Sequence, residues 1–122
     1  VKILSNFQGI GDIEVNASQR LSDVVIQKSL REGFALTMSE AMWKRTPVVG
    51  GNVGGIPLQV HHGVNGYLVN SVDEAIEYTG KILENPLMAE EMGNKGYEIA
   101  RRDFLSTRHL YQYLQLFLDL TV

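Results

Sequence analysis

The hydrophobic positions along this chain change period several times, and each change marks an element. The opening run "VKIL", Val1 to Leu4, is short, apolar and partly β-branched, the pattern of a buried strand. Residues Ile13 to Leu21 are consistent with a helix, and "DVVIQ", Asp23 to Gln27, reads as a second strand. A helix over Thr37 to Lys44 follows, ended by "RTP" because Pro47 disfavours helical geometry at Thr46. After the strand "PVVG", four glycines crowd "GGNVGGIP", an irregular loop of close backbone approach in which Pro57 opens a short helical turn over Leu58 to His62. "NGYLV" is a turn feeding another strand. From Ser71 onward the pattern is helical to the end. "SVDE" offers a serine cap with Glu74 three residues on, "ENP" is a break, and another helix follows Pro86.

Strands alternating with helices predict parallel βαβ units, hence an α/β class: a Rossmann-like parallel sheet with flanking helices, residues 1–122 forming one domain. No repeat, low-complexity tract or linker interrupts it. Ligands of such sheets bind outside the carboxyl ends of the strands, which puts the loops "QKSLREGF" and "GGNVGGIP" on one functional edge.

Composition narrows the chemistry. With 44% hydrophobic and 20% charged residues in 122, the chain can bury a core as a soluble globule. Its 11 basic residues are scattered against 14 acidic ones, net charge -3, so it carries no electrostatic footprint for nucleic acid. The absence of cysteine excludes a disulfide framework and a thiolate metal site, and fits a reducing, cytoplasmic setting. No apolar run approaches the roughly 20 residues of a membrane span, and "VKILSNFQG" has no signal-peptide character. His61 and His62 are adjacent and cannot both face one metal from a regular helix, and His109 sits on a late helix, so no metal site is expected.

The candidate chemistry lies in "REGFALTMSEAM", Arg31 to Met42, where Glu32 and Glu40 have seven residues between them. Each has an ordinary reading. "TMSE" matches a capping box in which Thr37 accepts from the Glu40 amide and the Glu40 carboxylate returns to the Thr37 amide, and Glu32 in a polar loop reads as a solvated carboxylate. Read together they are sharper. A helix starting near Ala35 points its free first-turn amides into the crevice, where they favour an anion such as a diphosphate. Gly33 permits close approach, Glu32 sits by the same mouth to accept from sugar hydroxyls, and Glu40 faces a second diol. A nucleotide sugar offers all three groups.

This spacing resembles the E-x7-E motif of retaining GT-B glycosyltransferases of family four. The stretch "DVVIQKSLREGFALTMSEAMWKRTPVVGGNVGGIPLQVHHGVNGYLV" is similar to that family's strand, motif loop, helix, strand, glycine loop and final strand. Where most of the family reads Gly-Gly-x-Pro-Glu, this chain has "GGIPLQ", with Leu58 in place of the acid. "SLREGF", "EAMWK" and "GGIPLQV" resemble the trehalose-forming branch, the glycosyltransferring trehalose synthases and trehalose phosphorylases.

The resemblance implies that Glu32 lies against the donor sugar as the catalytic residue, that the amides of Gly33, Phe34, Ala35 and Leu36 bind sugar and diphosphate, and that Glu40 holds the ribose hydroxyls. It implies glucosyl transfer with retention from a nucleoside diphosphate glucose to a sugar acceptor, forming trehalose, with no metal and no cofactor. Trehalose phosphorylase, using phosphate and trehalose, is one alternative. A non-catalytic nucleotide- or sugar-binding fragment is the other. It further implies that the chain is part of the C-terminal donor domain, with "VKIL" its third strand and the next three its fourth to sixth in the order 3-2-1-4-5-6. The basic pair that clamps the diphosphate in the family would then lie upstream, and the isolated chain is expected to be inactive. Exposed sheet edges would invite self-association. The last helix adds an apolar face of Leu110, Tyr113, Leu114, Phe117 and Leu118, read mainly as core packing and otherwise as contact with another domain.

Overall fold

The computed structural model describes residues 1–121. Three short strands, β1 (Val25–Gln27), β2 (Val48–Gly51) and β3 (Gly66–Val69), form a parallel sheet in the order β1-β2-β3. Val25 pairs with Val48, and Val48 with Gly66. The described residues also form five α-helices, α1 (Asp12–Leu21), α2 (Leu36–Trp43), α3 (Val72–Leu83), α4 (Pro86–Asp103) and α5 (Ser106–Leu120), of which α2, α3 and α4 pack on the sheet.

The two-residue period of a strand sorts the core. Val48 joins Met38, Ala41, Met42, Ile56, Val60 and Ala100 on one face of the sheet. Its neighbour Val49 points the other way, where Tyr67 and Val69 meet Ile82 and Met92. All four residues of β2 are buried, as suits the central strand of a parallel sheet covered on both faces.

Helix ends follow local chemistry. Ser71 caps α3, its hydroxyl accepting from the Glu74 amide at 3.1 Å, while Glu74 Oε2 accepts from the amide of Asn70 at 2.7 Å, one residue before the expected return. Asn85 caps α4 ahead of Pro86, accepting from the Met88 amide at 3.3 Å. The end of α2 owes less to Pro47 than the pattern suggests. Thr46 N donates to Ala41 O and Arg45 N to Met42 O, each at 3.0 Å, a Schellman closure with Arg45 at φ 63 in the position glycine usually takes.

Four expectations need correction. Val1 to Leu4 form no strand, and Ile3 is 81% exposed. A strand requires a ladder partner, and in the order 3-2-1-4-5-6 the third strand neighbours the second, not the fourth. The turn after the glycine loop is a 3-10 turn over Ile56–Leu58, with Pro57 inside it rather than opening Leu58 to His62. The helical run after Pro86 breaks once more, at Phe104 and Leu105. Finally, α5 buries none of its side chains. Leu110, Tyr113, Leu114, Phe117 and Leu118 are all exposed, so their apolar spacing is not core packing among the described residues.

Candidate functional site

The site grows from the carboxyl end of β1. Gln27, the last residue of that strand, donates from Nε2 to Glu32 Oε2 at 2.5 Å and to Ser29 Oγ at 3.2 Å. Ser29 Oγ in turn reaches Glu32 Oε2 at 3.3 Å, and the amide of Gly33 donates to Glu32 Oε1 at 2.9 Å. Glu32 is therefore a half-buried carboxylate whose rotamer is fixed by its own strand and loop, not a freely solvated one. The other end of the Gln27 amide, Oε1, is buried without a partner.

The glycine loop after β2 locks onto this segment. Gly54, at φ 55, lies so close to the Glu32 carbonyl that a Cβ there would overlap it, and a Cβ on Gly55 would overlap the carbonyl of Gly33. Buried Gln59 donates from Nε2 to the Phe34 carbonyl. Glycines thus let one backbone lie on the other, and a glutamine ties the second loop to the first.

Ala35 then turns the chain into α2. It is the N-cap residue at φ 67 and ψ 69, a left-handed conformation that costs a residue with a Cβ about 1–2 kcal/mol, held here with the alanine side chain buried. This turn leaves the amides of Phe34, Ala35, Leu36 and Thr37 without a protein acceptor among the described residues. Free amides at the positive end of a helix dipole favour an anion. Gly33 faces open space, while Phe34 meets Phe104 edge-on at 5.6 Å. Beside them lies a hollow of about 520 Å³ lined by Phe34, Leu36, Phe104 and Asp103. The hydrogen bond from Arg102 holds the Asp103 carboxyl below its ordinary range.

Glu40 sits one turn along α2. The capping box does not form: Ala35 is the N-cap, and Thr37 lies inside the helix. Glu40 Oε2 instead accepts from Gln19 Nε2 of α1 at 3.0 Å.

Residues 4–99 match the family model described as Glycosyl transferases group 1. The chain belongs to that family. It is 51% identical over 116 residues to a trehalose synthase of Thermococcus litoralis, covering 95% of this chain and 28% of that protein. A trehalose phosphorylase of Pleurotus pulmonarius is 44% identical over 59 residues, 48% of this chain and 8% of that protein. Among solved structures, Anabaena HepE in complex with UDP superposes with a TM-score of 0.78 at 25% identity, over 83% of this chain and 29% of that one. The chain thus spans 28% of the length of the synthase it matches, and its sheet and flanking helices are those of a GT-B glycosyltransferase.

For this group 1 member, the structure gathers Glu32, Gly33, Phe34, Ala35 and Leu36 at the carboxyl ends of β1 and β2, with Glu40 beyond them on α2. Three glutamines escaped sequence reasoning: Gln19, Gln27 and Gln59. Each orients part of the motif segment. An amide side chain has no periodicity of its own to betray it. The signal that existed was their isolation among apolar neighbours, as in "DVVIQ" and "GIPLQV". Among the described residues no group of three or more His, Cys, Asp or Glu side chains is placed to hold a metal. Nor, among those residues, is any helix long and apolar enough to cross a membrane.

Proposed function

We propose that this chain, as one domain, is the donor-site part of a retaining glucosyltransferase that moves glucose from a nucleoside diphosphate glucose to a sugar acceptor, forming trehalose. The observation that carries this reading is the row of partnerless amides from Phe34 to Thr37 between two carboxylates, at the mouth of a parallel sheet. A diphosphate satisfies the amides, the donor sugar lies by Glu32, and Glu40 accepts from the ribose hydroxyls. Similarity to trehalose synthase over 95% of the chain supports the product.

The chemistry asks little covalent work of the protein. The bond from the anomeric carbon to the diphosphate oxygen breaks and leaves positive charge on the sugar; the acceptor's hydroxyl oxygen bonds to that carbon on the same face, and its proton passes to the departing diphosphate oxygen. Glu32, pinned by Gln27 and Ser29, stabilises that charge and orients the sugar. The amides hold the negative charge that develops on the leaving group.

The test uses the complete protein that contains this chain. Glu32→Gln removes charge but keeps shape, so it should lower kcat more than it raises KM. Glu40→Ala removes hydrogen bonds to a charged acceptor, worth about 1.5–3 kcal/mol, and should weaken nucleotide-sugar binding by about tenfold to a hundredfold. Unchanged kinetics in both variants would sink the assignment. Trehalose phosphorylase is a second reading, favoured by the 44% identity to the Pleurotus enzyme over 59 residues. Calorimetry with UDP-, ADP- and GDP-glucose, set against phosphate with trehalose, separates the two. A protein that binds these ligands without turnover would be the non-catalytic module.

A further inference from the structure

We infer that Gln19 is a positioning residue of the donor site, holding the Glu40 carboxylate so that one oxygen stays free for the ribose diol. This rests on the reading of Glu40 given above. Helix α1 is otherwise exposed, and Gln19, at 6% exposure, is its one buried residue. Burying an amide is costly unless both its ends are satisfied, and here both are. Nε2 donates to Glu40 Oε2 at 3.0 Å, and Oε1 accepts from Lys44 Nζ at 2.6 Å. The backbone carbonyl of Gln19 also accepts from the buried Thr46 hydroxyl at 2.7 Å, which fixes the height of α1 against the end of α2. The amide orientation is dictated by charge. Reversed, it would set oxygen against carboxylate and NH2 against ammonium.

The geometry of α2 makes the arrangement informative. Glu40 and Lys44 stand four residues apart with the acid first, the spacing and order in which such residues pair directly on a helix. Among the described residues they form no ion pair. Gln19 stands between them: Lys44 Nζ goes to the glutamine and to the Glu40 backbone carbonyl, at 3.3 Å. Among the described residues Glu40 Oε1 is left without a protein donor. Glu40 adjoins a hollow of about 170 Å³ between α1 and α2 that Asp12, Asn16 and Lys44 also line. A direct Glu40–Lys44 pair would set an ammonium on the carboxylate in competition with the ribose hydroxyls. The glutamine keeps the cation near and the carboxylate available.

The experiment compares, in the complete protein, the nucleoside diphosphate that binds best among UDP, ADP and GDP with its 2′,3′-dideoxy counterpart. The difference in affinity reads the diol contact alone. Wild type should prefer the diol form by about tenfold or more. Glu40→Ala should abolish the preference. Gln19→Met, close in shape but unable to hydrogen-bond through either amide end, should cut it to about threefold or less while leaving affinity for the dideoxy ligand unchanged. Gln19→Glu, which sets a second negative charge beside Glu40, should do the same. A full diol preference in Gln19→Met overturns the inference, as does an equal loss for both ligands, which would make Gln19 a packing residue only. If wild type shows no preference, or Glu40→Ala retains it, the reading of Glu40 itself falls, and this inference with it.

Discussion

Ala35 shows how a single residue's backbone prepares a site. Its left-handed turn aims the start of α2 at the crevice and leaves the following amides unpaired. Three effects oppose one another at this position. Glycine would relieve about 1–2 kcal/mol of strain, but would lose about 0.5–1 kcal/mol to unfolded-state freedom and about 0.8 kcal/mol of buried methyl. Ala35→Gly should therefore leave stability nearly unchanged in denaturant melts. Ala35→Val puts a β-branched residue in the same conformation and should cost about 2 kcal/mol or more. The carboxylates of Glu32 and Glu40 were legible from their spacing. Their tethers were not: the one on Glu32 depends on how the loop after β1 folds back onto Gln27, and the one on Glu40 on how α1 packs against α2, which neither helix encodes alone. The capping-box reading of "TMSE" failed for a related reason. It supposes a start at Thr37, whereas the glycine loop and Gln59 hold the chain so that α2 begins at Leu36.

At the scale of elements, the central strand and the starts of α3 and α4 were the easiest to read. β2 is a continuous apolar run, and Ser71 and Asn85 carry their caps in their side chains. Val1 to Leu4 and α5 misled because apolar patterning reports a face that seeks cover, not whether cover is present among these residues. The crossing of α4 over the end of α2 was also invisible. Gly93 lies there so close to the Arg45 carbonyl that a Cβ would overlap it, while Arg45 stacks over Tyr97 at 4.0 Å and donates to Asn94 at 2.6 Å. In a helix interior Gly→Ala ordinarily stabilises by about 1 kcal/mol. At Gly93 overpacking, about 1–3 kcal/mol, should win and reverse the sign, and thermal unfolding of Gly93→Ala would reveal it. A raised midpoint would contradict the contact.

For the whole molecule, the division between covered and uncovered surface matters most. Both faces of the small sheet are buried, yet α5 presents Leu110, Leu114, Phe117 and Leu118 at 54% exposure or more, and β1 pairs on one side only, with Ile26 49% exposed. Apolar area of that extent and an open strand edge both favour association. Light scattering on this chain should give a mass that rises with concentration above 13.6 kDa, and a mass fixed at that value would overturn the expectation. Class and topology were readable because parallel sheets advertise themselves through alternating elements. The exposure of α5 was not, since apolar spacing marks a face and not its cover.

The contact of Gly54 and Gly55 with the backbone of Glu32 and Gly33 reaches beyond this chain. Two segments some twenty residues apart are shaped to a common surface, so neither can be exchanged by itself. A chimera that borrowed only "SLREGF" from a relative would inherit the carboxylate without the bed that orients it. Anyone recombining such enzymes should cut before Gln27 and after Gln59, and treat everything between as one hereditary unit.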